Sequence, residues 1–525
     1  MNSSTLWRPF RNPVFRNLLL ADVVSDIGTF MQNVGAAWLM VSLGAGPMYV
    51  ALTQTASSLP FFLLALPAGS AGDIVDRRKL ILSTEVWMVS VAFLLAVFTL
   101  TGHMSPWLLL ALTFALSAGD AFETPTWRAV LPELVAKEDI ESASALNGIE
   151  FNLARAIGPA LAGLLIAAAG VGAAFVANVA SFFGVIVVVA RWRRPARERN
   201  APPETLAGAT IAALRYIRHS PGIRALLLRT GAAMFFASAL FALLPTVARN
   251  VSNNAIGYGI LLGSFGAGGV IGALILQSAR SRWSTEAVVS GCTAIAGAVI
   301  MTSGLLHRLS AIGPVMLVGG AAWLVFVSLL GALVQNLAPD WVRARVLAIY
   351  LLVFQGSVAL GSATWGMVAQ RSGVRTALLC AGIGTIATTA LGLVARLPAS
   401  SSDLSPWNHW RMPVVITEVS PELDRGPVLI TVEYMVDPQS RTEFVKAIHR
   451  YERVRRRDGA SRWGIFHDTE NADRYLEIFL VDSWAEHLRQ HERLTQADHK
   501  LEQLLRGYIV SDPEVRHLIY ARPKE

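Results

Sequence analysis

Charged side chains stand in long apolar runs, where charge is costly; Arg229 lies early in the seventh run, and others cluster in the first half. Asp22 and Asp26 fall in one run, Asp120 and Glu123 close another, and Glu150 and Arg155 share a third. A charge at the centre of a bilayer costs about 2.5–3.5 kcal/mol on insertion scales, so each one needs a reason. Asp22 and Asp26 are four residues apart and share one helical face, as do Asp120 and Glu123. The chemistry open to such carboxyls is proton exchange. A carboxyl that alternates between a dry site and one beside a guanidinium takes up and releases a proton in each cycle. The competing reading is a static lattice of ion pairs closing one end of a bundle, and it applies most to Asp22, Glu150 and Arg155.

These side chains must be positioned by membrane helices. The chain has 525 residues, 53% of them hydrophobic and 16% charged, with a mean hydropathy of +0.46. A soluble domain carries about 25% charged residues. The charges are scarce from Leu18 to Val394 and dense from Asp403 onward. A span needs about 20 mostly apolar residues. The first half of the chain offers Asn17–Met40, Tyr49–Ala71, Leu80–Thr101, Trp107–Thr124, Ser142–Ala168 and Val171–Arg191. The second offers Ile223–Ala248, Ala255–Ala279, Glu286–Leu306, Ala311–Asn336, Arg345–Gln370 and Val374–Arg396. The fold class expected is an all-α membrane bundle of twelve transmembrane helices in two six-helix repeats, followed by a small α+β domain. The expected divisions are 1–191, a linker at 192–222, 223–396, a second linker at 397–426, and 427–525. Two six-span halves joined by a charged linker fit a duplicated transporter.

Basic residues set the expected orientation. With the N-terminus inside, Arg8, Arg11, Arg16, Arg77, Arg78, Lys79, Arg128, Lys137, the arginines of 191–224, Arg280, Arg282, Arg343 and Arg345 are all cytoplasmic. Arg249, Arg308, Arg371 and Arg375 are outside. This asymmetry follows the positive-inside rule and places both termini in the cytoplasm of a multi-pass, bacterial inner-membrane protein. The net charge of +8 reads as that asymmetry rather than as a nucleic-acid surface. Cys292 and Cys380 lie in apolar runs as small core residues and form no disulfide or metal pattern. The N-terminus lacks a small-residue cleavage site and does not read as a removed leader.

Between the second and third runs lies Gly69-Ser-Ala-Gly-Asp73-Ile-Val-Asp76-Arg77-Arg78-Lys79. With the two-halved plan, this loop resembles the signature of the major facilitator superfamily: Gly, three residues, Asp-Arg, one residue, Gly-Arg-Arg/Lys. Gly69, Asp73, Arg77 and Arg78 match; Ile74 and Asp76 stand where the family has Arg and Gly. The resemblance implies a gating loop in which Asp73, Asp76 and Arg77 form a rearranged charge network. Ala154-Arg155-Ala-Ile-Gly158-Pro159-Ala-Leu-Ala162-Gly163 is similar to the family's antiporter motif at Gly158, Pro159 and Gly163, with two glycines replaced by alanine. Pro159 bends the helix, and the small face admits a neighbour. Ala115 stands where the family often carries a span-four arginine, so proton coupling through that residue is unsupported.

Within the superfamily the chain resembles the transmembrane secretion effector group, which includes permeases similar to the enterobactin exporter. The carrying stretches are Pro125–Val135, Asn152–Pro159, Val346–Gly356, Arg455–Gly464 and Ser483–Arg493. In the superfamily, spans one, four, seven and ten line the cavity. The resemblance therefore puts Asp26, Asp120, Glu123, Arg155 and Gln32 on the proton and substrate path. Phe30, Trp38, Phe235, Phe236 and Trp323 are either cavity-lining or packing aromatics.

The tail changes period. Val428–Val436, Ser461–His467, Tyr475–Val481 and Val515–Tyr520 read as strands, and Ser440–Arg456 and Ser483–Leu505 as helical. The order β-α-β-β-α-β is ferredoxin-like. It resembles the dimeric domain of antibiotic-biosynthesis monooxygenases, which implies homodimerisation. His487 and His491 are i, i+4 on one face, but no third ligand has clear spacing, so neither metal nor cofactor is expected. The function expected is secondary export of a small amphipathic molecule, such as a siderophore or antibiotic, by proton antiport across the lipid bilayer. A membrane-tethered oxygenase acting through the tail, and a lipid or lysophospholipid carrier of the same fold, remain as alternatives.

Overall fold

Apolar runs become helices because in hydrocarbon every backbone N–H and C=O must be satisfied within its own segment. The computed structural model describes residues 7–192, 206–398, 403–405, 407 and 426–520. Six long helices form the first half: α1 (Pro13–Ser42), α2 (Pro47–Ile74), α3 (Arg77–Leu100), α4 (Pro106–Leu134), α5 (Ile140–Ala169) and α6 (Val171–Arg191). A shorter helix, α7 (Leu206–His219), falls in the linker. The second half contains α8 (Pro221–Ser252), α9 (Ala255–Arg282), α10 (Thr285–Leu305), α11 (Leu309–Leu337), α12 (Asp340–Ser372) and α13 (Val374–Ala387), which runs on through a 3-10 turn into α14 (Leu391–Val394). Among the described residues, ten helices are long and apolar enough to cross a membrane. The other two long helices, α1 with 30 residues and α4 with 29, are the ones that carry the paired acids.

Side-chain caps start these helices. The Asn12 side chain accepts from Val14 N at 2.9 Å, and Asn254 from Gly257 N at 2.8 Å. Asp76 Oδ1 accepts from Lys79 N at 3.0 Å. The last cap shortens the loop expected at Gly69–Lys79: α2 continues to Ile74, and α3 begins at Arg77. Gly170 separates α5 from α6 at φ 81°, and Gly373 separates α12 from α13 at φ 87°. A glycine at positive φ thus breaks the chain between these two helix pairs, a conformation that other residues rarely adopt.

The halves meet along named helix pairs. Thr55 Oγ1 of α2 donates to Ala359 O of α12 at 3.0 Å. On α5 and α9, a Cβ added to Gly163 would stand 3.1 Å from Gly259 Cα, so both positions need the missing side chain. Trp38 of α1 stacks on Tyr258 of α9 with centroids 6.3 Å apart. Arg249 Nη1 donates to Val41 O at 2.8 Å. A shared apolar core containing Trp38, Ala51, Ala162, Tyr258 and Trp365 fills this end of the bundle. Cys292 is buried, but Cys380 is exposed rather than in the core, because its face of α13 points away from the bundle.

The tail folds as β1 (Val428–Met435), α15 (Arg441–Asp458), β2 (Arg462–His467), β3 (Arg474–Val481), α16 (Trp484–Arg493), α17 (Gln496–Arg506) and β4 (Glu514–Ile519). The sheet is antiparallel in the order β2-β3-β1-β4. Alternation along β1 buries Val428, Ile430, Val432 and Tyr434 on one face, against Phe444, Ile448 and Tyr451 of α15. The second helical stretch is in two pieces because Thr495 and Asp498 form a capping box that starts α17. The chain divides into two compact units. One is Met1–Asn200, Leu227–Leu330 and Ala348–Leu397; the other is Ala201–Leu226, Gly331–Leu347 and Pro398–Glu525. Within the second unit α7 lies against α15, and Arg215 pairs with Glu486.

Candidate functional site

Four helices of the first half bring the membrane charges together. α1 supplies Asp22 and Asp26, and α3 supplies Glu85. α4 supplies Asp120, Glu123 and Arg128; α5 supplies Glu150 and Arg155. Asp26 is within hydrogen-bond reach of Glu150 and faces Asp120 and Arg155. Glu85 is within the same reach of Glu123. Asp22 faces Asp26, Glu123 and Glu150. Thr124 Oγ1 donates to Asp120 Oδ1 at 2.9 Å, with Arg128 as the neighbouring cation. Thr84 Oγ1 donates to Glu123 Oε2 at 3.3 Å. The Arg155 guanidinium lies 4.8 Å from the Phe151 ring centroid.

The stoichiometry of this cluster matters. Among the described residues it gathers six carboxyls, Asp22, Asp26, Glu85, Asp120, Glu123 and Glu150, against the guanidiniums of Arg128 and Arg155. Ion pairing alone cannot neutralise that excess. Two carboxyls in contact hydrogen-bond only when a proton sits between them, and otherwise repel. The arrangement can hold protons, or exchange them for a ligand.

Of the path residues read from the sequence, Asp26, Asp120, Glu123 and Arg155 meet here. Gln32 does not join them: it is buried and accepts a hydrogen bond from Asn178 Nδ2 of α6. Sequence reasoning missed Glu85 and Arg128. Glu85 is 1% exposed, and its signal was a lone acid inside the third apolar run. Arg128 was assigned to a loop, but α4 continues to Leu134 and keeps it beside Asp120.

The basic segment after α2 ties helices of the first half to one another. Arg77 Nη1 donates to Glu133 Oε1 and to Ala129 O, both at 2.8 Å. Arg78 donates to Val189 O at 3.1 Å and to Ala190 O at 2.6 Å. Gly69 and Asp73 fall in the last turns of α2, and their side chains lie outside the described residues. Gly158 lets α5 approach α1, since a Cβ there would stand 2.6 Å from Phe30 Cβ; Pro159 follows inside the same helix. In the second half, Arg229 of α8 is 4% exposed and pairs with Glu286 of α10, whose Oε2 also accepts from Leu397 N at 3.1 Å. The aromatics serve packing. Phe235 and Phe236 stand 5.2 Å apart, and Trp323 meets Phe241 at 5.1 Å.

Comparison with known proteins agrees with this architecture. A family model described as transmembrane secretion effector matches residues 4–524. The multidrug efflux pump Tap of Mycolicibacterium fortuitum is 22% identical over 390 residues, covering 72% of this chain and 94% of that protein. The staphyloferrin A transporter of Staphylococcus aureus is 26% identical over 164 residues, 31% of this chain and 41% of that protein. The chain spans about half, 52%, of YfiS, an MFS-type transporter of Bacillus subtilis, at 26% identity and 40% coverage of this chain. Among solved structures, an inward-facing, occupied bacterial homologue of the lysosomal transporter Spinster superposes with a TM-score of 0.60 at 12% identity, covering 74% of this chain and 97% of that one. That likeness is one of fold.

Proposed function

The chain belongs to the transmembrane secretion effector family of facilitator-type transporters, and from that premise we propose that it is a secondary exporter driven by proton antiport. The observation that carries this reading is the excess of six carboxyls over two guanidiniums on α1, α3, α4 and α5. The charge excess is neutralised either by protons or by the ligand, and alternation between the two couples one flux to the other. Asp26 or Asp120 is the coupling acid.

All twelve long helices cross the membrane in this reading, and the arginine distribution puts both termini inside. The end closed by Trp38, Tyr258 and Arg249 then faces outward, and Asp22 and Asp26 stand toward the cytoplasmic end of α1. The substrate is a small amphipathic molecule. The names of two relatives, a multidrug efflux pump and a staphyloferrin A transporter, support that class. The tail's strand order supports a ferredoxin-like domain similar to antibiotic-biosynthesis monooxygenases. Its sheet face away from the helices presents Phe466 at 53% and Leu518 at 51% exposure, an apolar surface suited to a second copy of the domain.

The test uses everted vesicles carrying the full chain and an imposed pH gradient. A macrolide, whose protonated amine can take a proton's place at the acids, a siderophore and a lysophospholipid are added in turn. At least one should dissipate the gradient, and the Asp26→Asn, Asp120→Asn double variant should abolish the effect. Equal dissipation by the double variant removes these acids from the coupling. Transport without any proton movement removes antiport.

A further inference from the structure

Three imidazoles that the transport reading leaves unused converge inside the tail domain. His487 and His491 lie one turn apart on α16, and His517 lies on β4 opposite Ile430 of β1. One ligand-capable nitrogen from each lies within 4.8 Å of those of the other two. They border one cavity, together with Ile430, Phe479 and Val515. We propose that His487, His491 and His517 bind one borderline divalent transition ion, zinc before others, with a fourth position open to that cavity.

The geometry supports three coordinating nitrogens. His487 Nε2 and His491 Nε2 are 3.2 Å apart. Nitrogens held 2.0–2.1 Å from a tetrahedral ion stand about 3.3 Å from each other, so this pair already has the separation an ion needs. Each separation from the His517 nitrogen to the other two must shorten by about 1.5 Å at most to reach that spacing. His487 Nδ1 lies 3.2 Å from Gln490 Oε1. An amide oxygen only accepts, so Nδ1 carries the hydrogen and Nε2 keeps its lone pair. An outer-shell partner of this kind is what orients metal-binding histidines. His487 and His517 rings are 4.7 Å apart, and Trp484 stands edge-on to His517 at 6.0 Å, which limits how far the rings can turn away.

The electrostatics are compatible with a cation. Burial, with help from the neighbouring imidazoles, pushes His487 down to about 3. Burial likewise pushes His491 down to about 4, and His517 downward. All three are therefore neutral near pH 7, the form that donates to metals. Arg455 borders the cavity, but its charge is met by the fully buried Glu477 at 3.1 Å. Asp458 also borders it and is paired with Arg457 at 2.8 Å. With a third of the site on a strand and two-thirds on a helix, bound metal would clamp α16 to the sheet edge. The cavity faces the open position, where a water would complete a four-coordinate shell.

The experiment uses the full chain, purified in detergent with an affinity tag free of histidine and stripped by a chelator. Zn2+ is titrated by calorimetry and Co2+ by visible absorption. The expected result is one ion per chain, a tetrahedral Co2+ spectrum that Zn2+ erases, and a zinc Kd below about 1 μM. His517→Ala and His491→Ala should each weaken binding at least tenfold, and Gln490→Ala about tenfold as an outer-shell change. His467→Ala, on β2, should leave it unchanged. Absence of stoichiometric binding by the wild-type chain overturns the proposal whatever the variants do. So does unaltered affinity in the His487→Ala, His491→Ala, His517→Ala triple variant.

Discussion

A charge in a membrane helix is intelligible only with its partners, and here the partners sort the charges into two kinds. Arg229 and Glu286 are matched and closed. Glu286 receives both Arg229 and the Leu397 amide, and Ser290 Oγ lies 3.1 Å from its carboxylate. Removing one member strands the other, so Arg229→Gln should destabilise by about 2–3 kcal/mol, below the 3–5 kcal/mol of a fully buried pair because Glu286 is 31% exposed. Thermal unfolding in detergent measures this, and Glu286→Gln added to the same variant should recover part of the loss. The cluster of six acids on α1, α3, α4 and α5 is the other kind, in excess of its two guanidiniums. Asp22, Asp26, Asp120, Glu123, Glu150 and Arg155 were legible as costly residues in apolar runs. Glu85 was not, because a lone acid in a long span gives no spacing to read. Its role exists only because α3 brings it to Glu123.

At the scale of elements, periodicity was the dependable signal. It gave the β-α-β-β-α-β order of the tail, while the length of apolar runs located the long helices among the described residues. It erred where a cap decides, as at Asp76, whose bond to Lys79 N starts α3 and confines the break to Val75 and Asp76. Packing between elements was legible only through small residues. Gly158 and Gly163 were singled out by motif, and their need for space comes from Phe30 on α1 and Gly259 on α9. Gly259→Val should force α5 and α9 apart. Cysteines placed at Ala162 and Tyr258 for cross-linking should then trap the closed end less than half as often as in the glycine background. Arg77→Gln should cost about 1 kcal/mol of thermal stability, since its bond to Glu133 is only partly buried, and Glu133→Gln should not add to it. Additive losses would show that the two residues act separately.

At the scale of the whole molecule, composition announced a membrane body and a polar tail before any motif was read. It did not reveal that α7 and residues 331–347 belong to the same compact unit as the tail, because that grouping rests on contacts such as Arg215 with Glu486. Nor could spacing reveal His517, which reaches His487 only through the pairing of β4 with β1. If the outer face of the sheet joins two copies, Leu518→Glu should convert a detergent-solubilised dimer into a monomer by light scattering; an unchanged mass would assign that face another role. The central claim, that protons and substrate compete for one acidic cluster, is tested most directly by adding substrate to the purified full chain in weakly buffered detergent and following a pH indicator. Binding should release about one proton per substrate, and the Asp26→Asn, Asp120→Asn variant should release none. Substrate binding of undiminished affinity with no proton release from the wild-type chain would contradict it.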